Sequence, residues 1–141
     1  MDWAFLFNTF EGRIARQTFW IGVAVLLAIE LLAHVAAEEI QGDRLSAIVD
    51  LAFAYPEFAL CLKRAHDRNL PLWLLIAFFS ASGLLDFLTV LEMTGTDDQP
   101  SPLSLALALP FTVVGLVLLV ELGIRRGTVG PNPYGPDPLG P

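Results

Sequence analysis

Four stretches of the chain are apolar all round, with no polar stripe at helical period. They run from about Thr18 to Ala37, Leu45 to Leu62, Leu70 to Met93 and Leu103 to Ile124. A helix crossing the hydrocarbon layer needs about 20 predominantly apolar residues, and each stretch is close to that length or longer. A soluble bundle would place Lys, Glu and Arg on the outer face of each helix. None of the four stretches contains a Lys or an Arg. The expected fold class is all-α, a four-transmembrane-helix bundle in one integral membrane domain, 1–141.

The connections Glu38–Arg44, Lys63–Asn69 and Thr94–Pro102 are short. The third, TGTDDQPSP, is turn chemistry throughout. Residues 1–17 are expected to lie in the membrane interface as a short amphipathic segment. Residues 125–141 form a tail whose alternating Gly and Pro forbid a helix, which leaves an extended strap or disorder. The first span is longer than the apolar core of a signal peptide, so an uncleaved anchor is expected. Pro56 and Pro110 lie inside spans two and four, where each frees a carbonyl.

Composition sharpens this picture. The 141 residues are 55% hydrophobic and 16% charged, with 8 Lys+Arg against 15 Asp+Glu and a formal net charge of −7. Mean hydropathy is +0.61. Soluble domains carry about 25% charged residues. The acidic balance excludes nucleic acid as a partner, since that needs a basic footprint. A single Cys excludes an intrachain disulfide framework or a cysteine zinc cluster. The bases are segregated: Arg13, Arg16, Lys63, Arg64, Arg68, Arg125 and Arg126 fall on one side of the four-span topology, and only Arg44 on the other. The positive-inside rule then places both termini and the middle loop in the cytoplasm. The opposite loops carry Glu38, Glu39, Asp43, Asp97 and Asp98, and six further acids fall within the spans.

The cytoplasmic-side segments carry three motifs: Trp3–Trp20 (WAFLFNTFEGRIARQTFW), Pro56–Trp73 (PEFALCLKRAHDRNLPLW) and Gly130–Pro138 (GPNPYGPDP). In order and wording they resemble the domain of unknown function 805 family of small bacterial inner-membrane proteins. Gly12, Arg13, Arg16, Phe19 and Trp20 fit its first motif. Pro56, Arg64, His66, Asp67 and Trp73 fit its second, and Asn132, Tyr134, Gly135, Asp137 and Pro138 its third. Lys63, Ala65 and the Asn69-Leu70-Pro71 linker depart from the family pattern. The resemblance covers nearly the whole chain. It implies a multi-pass bacterial inner-membrane location, a four-helix fold and a strap-like tail, and it implies no activity.

Two candidate sites follow. The first is the cytoplasmic rim of Arg13, Arg16, Lys63, Arg64, His66, Asp67, Arg68, Arg125, Arg126, Asn132, Tyr134 and Asp137. Arg forks bind phosphate and carboxylate bidentately, so this rim suits an anionic phospholipid headgroup, a phosphorylated ligand or an acidic partner segment. The alternative is structural: the cations set topology and the tail packs on the middle loop. His66 and Asp67 are too few for a metal set, and Asp67 is expected to pair with Arg64 or cap the following turn. Trp3, Trp20, Trp73 and Tyr134 read as an interfacial aromatic belt.

The second candidate is an intramembrane polar pocket of Glu30, His34, Asp50 and Asp86. At 1.5 Å per residue, the three acids lie roughly 4 to 7 Å outward of their span centres. Glu57 and Glu121 fall in the inner half. Carboxyls clustered at such depth either bind a cation or relay protons, or they bond to one another and to Ser82 and Thr89 as interhelical glue. Ala24/Ala28 and Ala77/Ala81 are spaced for close helix approach. No nucleophile–base pair, phosphate loop, metal set or cofactor motif is visible. The expected function is therefore that of a non-enzymatic component binding lipid or a membrane-protein partner, with a homo-oligomer compatible. The alternative is a small ion- or proton-coupled transporter or channel.

Overall fold

A computed structural model describes residues 1–40, 43–95 and 101–140. Its regular structure is all helical, with no strand among the described residues. The order is α1 (Trp3–Asn8), α2 (Arg16–Ile40), α3 (Asp43–Arg68), α4 (Trp73–Val90) and α5 (Pro102–Leu119), which runs on into a π-helical turn (Val120–Ile124). Four segments are long and apolar enough to cross a membrane: Arg16–Ala37, Arg44–Arg68, Trp73–Val90 and Pro102–Ile124. Asp97 and Asp98 of the expected third loop lie outside the described residues, as do the side chains of Glu38, Glu39 and Asp43.

The second span departs from expectation. Lys63, Arg64 and Arg68 are not in a loop; α3 continues through them to Arg68. Lys and Arg are good helix formers, and here each charge finds oxygen partners, so the end of the apolar run is not the end of the helix. Asn69 stops it, taking a left-handed φ of 53° where a helix commonly ends on Gly or Asn. Pro71 precedes α4 rather than sitting in its first turn, and α4 begins at Trp73 after Leu72. At the other end of the bundle, Ser101 caps α5 through Ser104 N–H at 3.2 Å, with Pro102 opening the helix.

Helix α3 is the hub, packing against α1, α2, α4 and the π turn. The buried cluster of Leu6, Ile14, Phe19, Leu60, Leu75 and Leu122 gathers at the end that holds the N-terminus, the α3–α4 turn and the tail. Leu31, Leu32, Leu84, Leu105 and Leu109 are exposed elsewhere on the helices, as lipid-facing side chains are, since lipid tails solvate Leu as well as a protein core does. The close approach of α2 to α3 falls at Gly22, where a Cβ would lie 2.7 Å from Leu60 Cδ1. Ala24 and Ala28 are instead exposed. Ala77 and Ala81 do face α5, lining an apolar crevice with Pro110 and Phe111.

The N-terminal segment is docked rather than lying free in an interface. Leu6 is buried against the bundle, and Arg13, Ile14 and Ala15 are buried beyond it. Trp3, Trp20 and Trp73 are exposed.

Candidate functional site

The last carbonyls of a helix have no intrahelical donor and carry its negative dipole end. The π turn after α5 leaves its carbonyls to side chains of α2 and α3. Arg64 Nε donates to Leu122 O at 2.7 Å and Arg64 Nη2 to Arg125 O at 2.5 Å. Trp20 Nε1 donates to Gly123 O at 2.9 Å, and Arg16 Nη1 to Ile124 O at 2.9 Å. Gly123 is required there, because a Cβ would meet the Trp20 ring. Lys63 serves α1 in the same way. Its Nζ donates to Leu6 O at 3.0 Å, to Ala59 O at 3.1 Å and to Thr9 O, with the Phe5 ring 5.3 Å away.

Asp67, on the last turn of α3, is the centre of the knot. Its carboxylate accepts from Arg13 Nη2 at 2.9 Å and Nε at 3.2 Å, and from Arg64 Nη1. Arg13 carries the connection to the tail. Its Nη1 donates to Gly130 O (2.8 Å) and Gly135 O (3.1 Å), and its Nη2 also reaches Thr128 O (2.8 Å). Thr128 returns its N–H and hydroxyl to the carbonyl of Asp67, at 2.8 and 2.9 Å. Gly12 takes φ +87° so that its carbonyl can meet His66 Nδ1 at 3.1 Å. The tail then folds over α3: Tyr134 stacks on His66 at 3.9 Å and 7°, and Asn132 Nδ2 donates to His66 O at 2.9 Å. Asp137 ties the tail to itself, accepting from Gly130 N–H (2.8 Å) and Leu139 N–H (2.9 Å). The Leu139 and Gly130 N–H groups, helped by Arg13 and Arg126, hold its carboxyl below the usual carboxylate range.

The expected rim is thus brought together but divided. Arg13, Lys63 and Arg64 are buried, with Lys63 0% and Arg64 1% exposed. They are engaged by Asp67 and carbonyls and do not form an open cation surface; burial of a charge demands such pairing. Arg68 and Arg125 share Glu121, at 3.0 and 2.7 Å. Arg16, Arg125 and Arg126 remain exposed. Tyr134 belongs to the tail clasp, not to an aromatic belt. The tail is a strap, and it borders an open cavity of about 800 Å³ lined by Arg16, Arg64, Asp67, Arg126 and two limbs of the tail itself.

The intramembrane residues also meet. His34 Nε2 lies 2.9 Å from Asp50 Oδ1, and Glu30, His34 and Asp50 each offer a donor atom within 4.8 Å of the others. These three could hold a metal, contrary to the expectation of no metal set, although bonds of 2.0–2.1 Å would require donors about 3.4 Å apart. Asp86, Ser82 and Glu57 line the adjoining cavity of about 200 Å³ with Glu30 and Asp50. Glu57 stands close to the middle of α3, just on its Arg68 side, and two turns from Asp50 on the same face. Thr89 is engaged by Leu85 O and Thr94 rather than by an acid.

Sequence reasoning missed Thr128, Gly127 and the helix-end carbonyls. A Cβ at Gly127 would run into the Asp67 carboxylate. The signal for Gly127 was its place directly after Arg125 and Arg126; carbonyls leave no signal in a sequence.

A family model described as "Protein of unknown function (DUF805)" matches residues 7–136. The chain belongs to this family. It is similar to "Uncharacterized protein YiiR" of Escherichia coli strain K12, 27% identical over 143 residues that cover 96% of this chain and 88% of the relative. The same figures hold for the protein of that name in Escherichia coli O157:H7. No solved structure matches the chain significantly.

Proposed function

We propose that this DUF805 member is a multi-pass component of a bacterial inner membrane, with both termini cytoplasmic, that binds anionic lipid or a partner protein through its tail-clasped end. The observation that carries the reading is the division of the rim: Arg13, Lys63 and Arg64 are buried and consumed by Asp67 and by carbonyls of the N-terminal segment, the π turn and the tail, and Arg16, Arg125 and Arg126 stay exposed. Seven of the eight bases lie at this end, which supports the cytoplasmic orientation. The relatives from Escherichia coli support a bacterial source. The reading is non-enzymatic because the chemistry-bearing side chains at this end act as structural donors and acceptors. The test is purification in native lipid after in vivo crosslinking from Arg125 and Arg126 positions. Recovery of anionic lipid or one crosslinked protein supports the reading, and recovery of neither sinks it. Fusions that report an exported C-terminus would reverse the orientation.

A second reading, ion or proton coupling, is favoured by the His34–Asp50 contact inside the spans beside a carboxylate-lined cavity. Ionisable groups at such depth are functional hypotheses by default. Proteoliposome flux that disappears in an Asp50→Asn, Asp86→Asn variant supports it; wild-type vesicles without flux remove it.

A further inference from the structure

We infer that the cavity beneath the tail is a binding site for a phosphodiester of net charge −1, with no cation of its own, gripped by Arg16 and Arg126. The inference rests on the lipid- or partner-binding reading above and names its ligand. A volume of about 800 Å³ lies within the range of small-molecule sites. The Arg64–Asp67 pair lines it together with the two tail limbs, Gly127–Pro131 and Pro136–Gly140, and Arg16 and Arg126.

The cations differ in what they have left to offer. Arg64 is engaged by Asp67 and by carbonyls of Leu122 and Arg125. Arg16 uses a single nitrogen, on Ile124 O. The guanidinium of Arg126 makes no hydrogen bond or ion pair among the described residues; its exposed side chain acts on Asp137 only at a distance. Two arginines with donors to spare beside one cavity match the geometry of an oxyanion, which guanidinium forks bind bidentately.

Charge selects the class of anion. The lining holds three arginines against two aspartates, one net positive charge. That balances a monoanion. A phosphomonoester dianion would leave excess negative charge against Asp137, which is kept ionised by the N–H groups it accepts. Depth points the same way. Arg16 opens the first membrane-competent segment, and Arg126 stands two residues past the end of the fourth, at Ile124. Both therefore flank the hydrocarbon boundary, where lipid phosphodiesters lie and where basic pockets between spans bind headgroups. Trp20, one turn on from Arg16, is exposed at that level.

A phospholipid headgroup and a free glycerophosphodiester share this chemistry. The test uses the full chain in detergent micelles and native mass spectrometry with phosphatidylglycerol, with soluble glycerophosphoglycerol as competitor and phosphatidylcholine and glycerol phosphate as comparisons. Wild type should retain phosphatidylglycerol, and R16Q/R126Q should weaken retention about tenfold or more, as loss of charge-assisted bonds requires. R44Q, at the opposite end of the bundle where Arg44 faces Glu92, should retain it. Full competition by the soluble diester identifies the free phosphodiester as sufficient; no competition identifies the lipid. If R16Q/R126Q loses its fold, R126Q alone carries the test. Binding unchanged in R126Q and R16Q/R126Q, or equal retention of phosphatidylcholine or glycerol phosphate, would overturn the inference. The two readings fail separately: lipid or partner recovery indifferent to both arginines removes only this site, whereas a wild-type chain that recovers neither removes the broader reading as well.

Discussion

Arg13 and Asp67 stand 54 residues apart and meet through two hydrogen bonds, from Nη2 at 2.9 Å and Nε at 3.2 Å to one carboxylate oxygen. The same guanidinium reaches carbonyls of Thr128, Gly130 and Gly135. One buried pair therefore joins the N-terminal segment, the end of α3 and the tail. Removing Asp67 strands two buried guanidinium charges, which costs about 3–5 kcal/mol; removing Arg13 leaves Asp67 paired with Arg64 but strands the tail carbonyls it serves, at about 1–3 kcal/mol. Asp67→Ala and Arg13→Ala should lower the thermal unfolding midpoint and release the tail to protease. Arg13→Lys should not rescue, since an ammonium lacks the fork that serves acceptors on four residues at once.

Gly127→Ala tests the close approach of the tail to Asp67. The added methyl would meet the carboxylate, and overpacking of this kind costs about 1–3 kcal/mol. The expected result is faster cleavage of the tail by a soluble protease with the spans intact. Gly130→Ala, where a Cβ meets nothing but φ is +79°, should strain the backbone without that collision.

Tyr134 is held to His66 by ring stacking, and its hydroxyl makes no hydrogen bond among the described residues. Tyr134→Phe should be nearly silent. Tyr134→Ala should cost about 0.5–1.5 kcal/mol beyond lost area, read as increased amide exchange in residues 128–137.

Acid should loosen the tail through Asp137. Its folded carboxyl is held below the ordinary range, first by the Leu139 N–H and then by the Gly130 N–H. A depressed folded value means the contribution is present above the unfolded value, about 3.9. It is lost as pH falls through the folded one. Protection of the tail against an acid-stable protease should therefore hold at neutral pH and fall below about pH 4. Asp137→Asn should weaken protection at neutral pH and flatten this dependence.

Lys63→Met would remove the donor for Leu6, Thr9 and Ala59 carbonyls. Leaving buried carbonyls unsatisfied costs about 1–3 kcal/mol each. The expected outcome is detachment of α1, seen as increased accessibility of a probe at Phe5.

The four apolar stretches were legible because 18 or more predominantly apolar residues without a Lys or Arg have one physical meaning. The helix ends were harder. Leu62 closes the apolar run, yet α3 continues to Arg68, since a cation with oxygen partners does not end a helix. The motifs gave the members of the knot, Arg13, Asp67, Asn132 and Tyr134 among them, but not their partners.

By itself the sequence determined the number of spans, the segregation of bases to one side and the residues that would carry the clasp. Those are properties of hydropathy and composition, which act residue by residue. Tertiary structure alone decided which cations are available. Arg13 and Arg126 read alike along the chain, yet one is buried among acceptors on four residues and the guanidinium of the other is exposed with no hydrogen-bond partner among the described residues. The acceptors are mostly backbone carbonyls at helix ends and in the tail, identical for every residue type, and only folding brings them to a particular arginine.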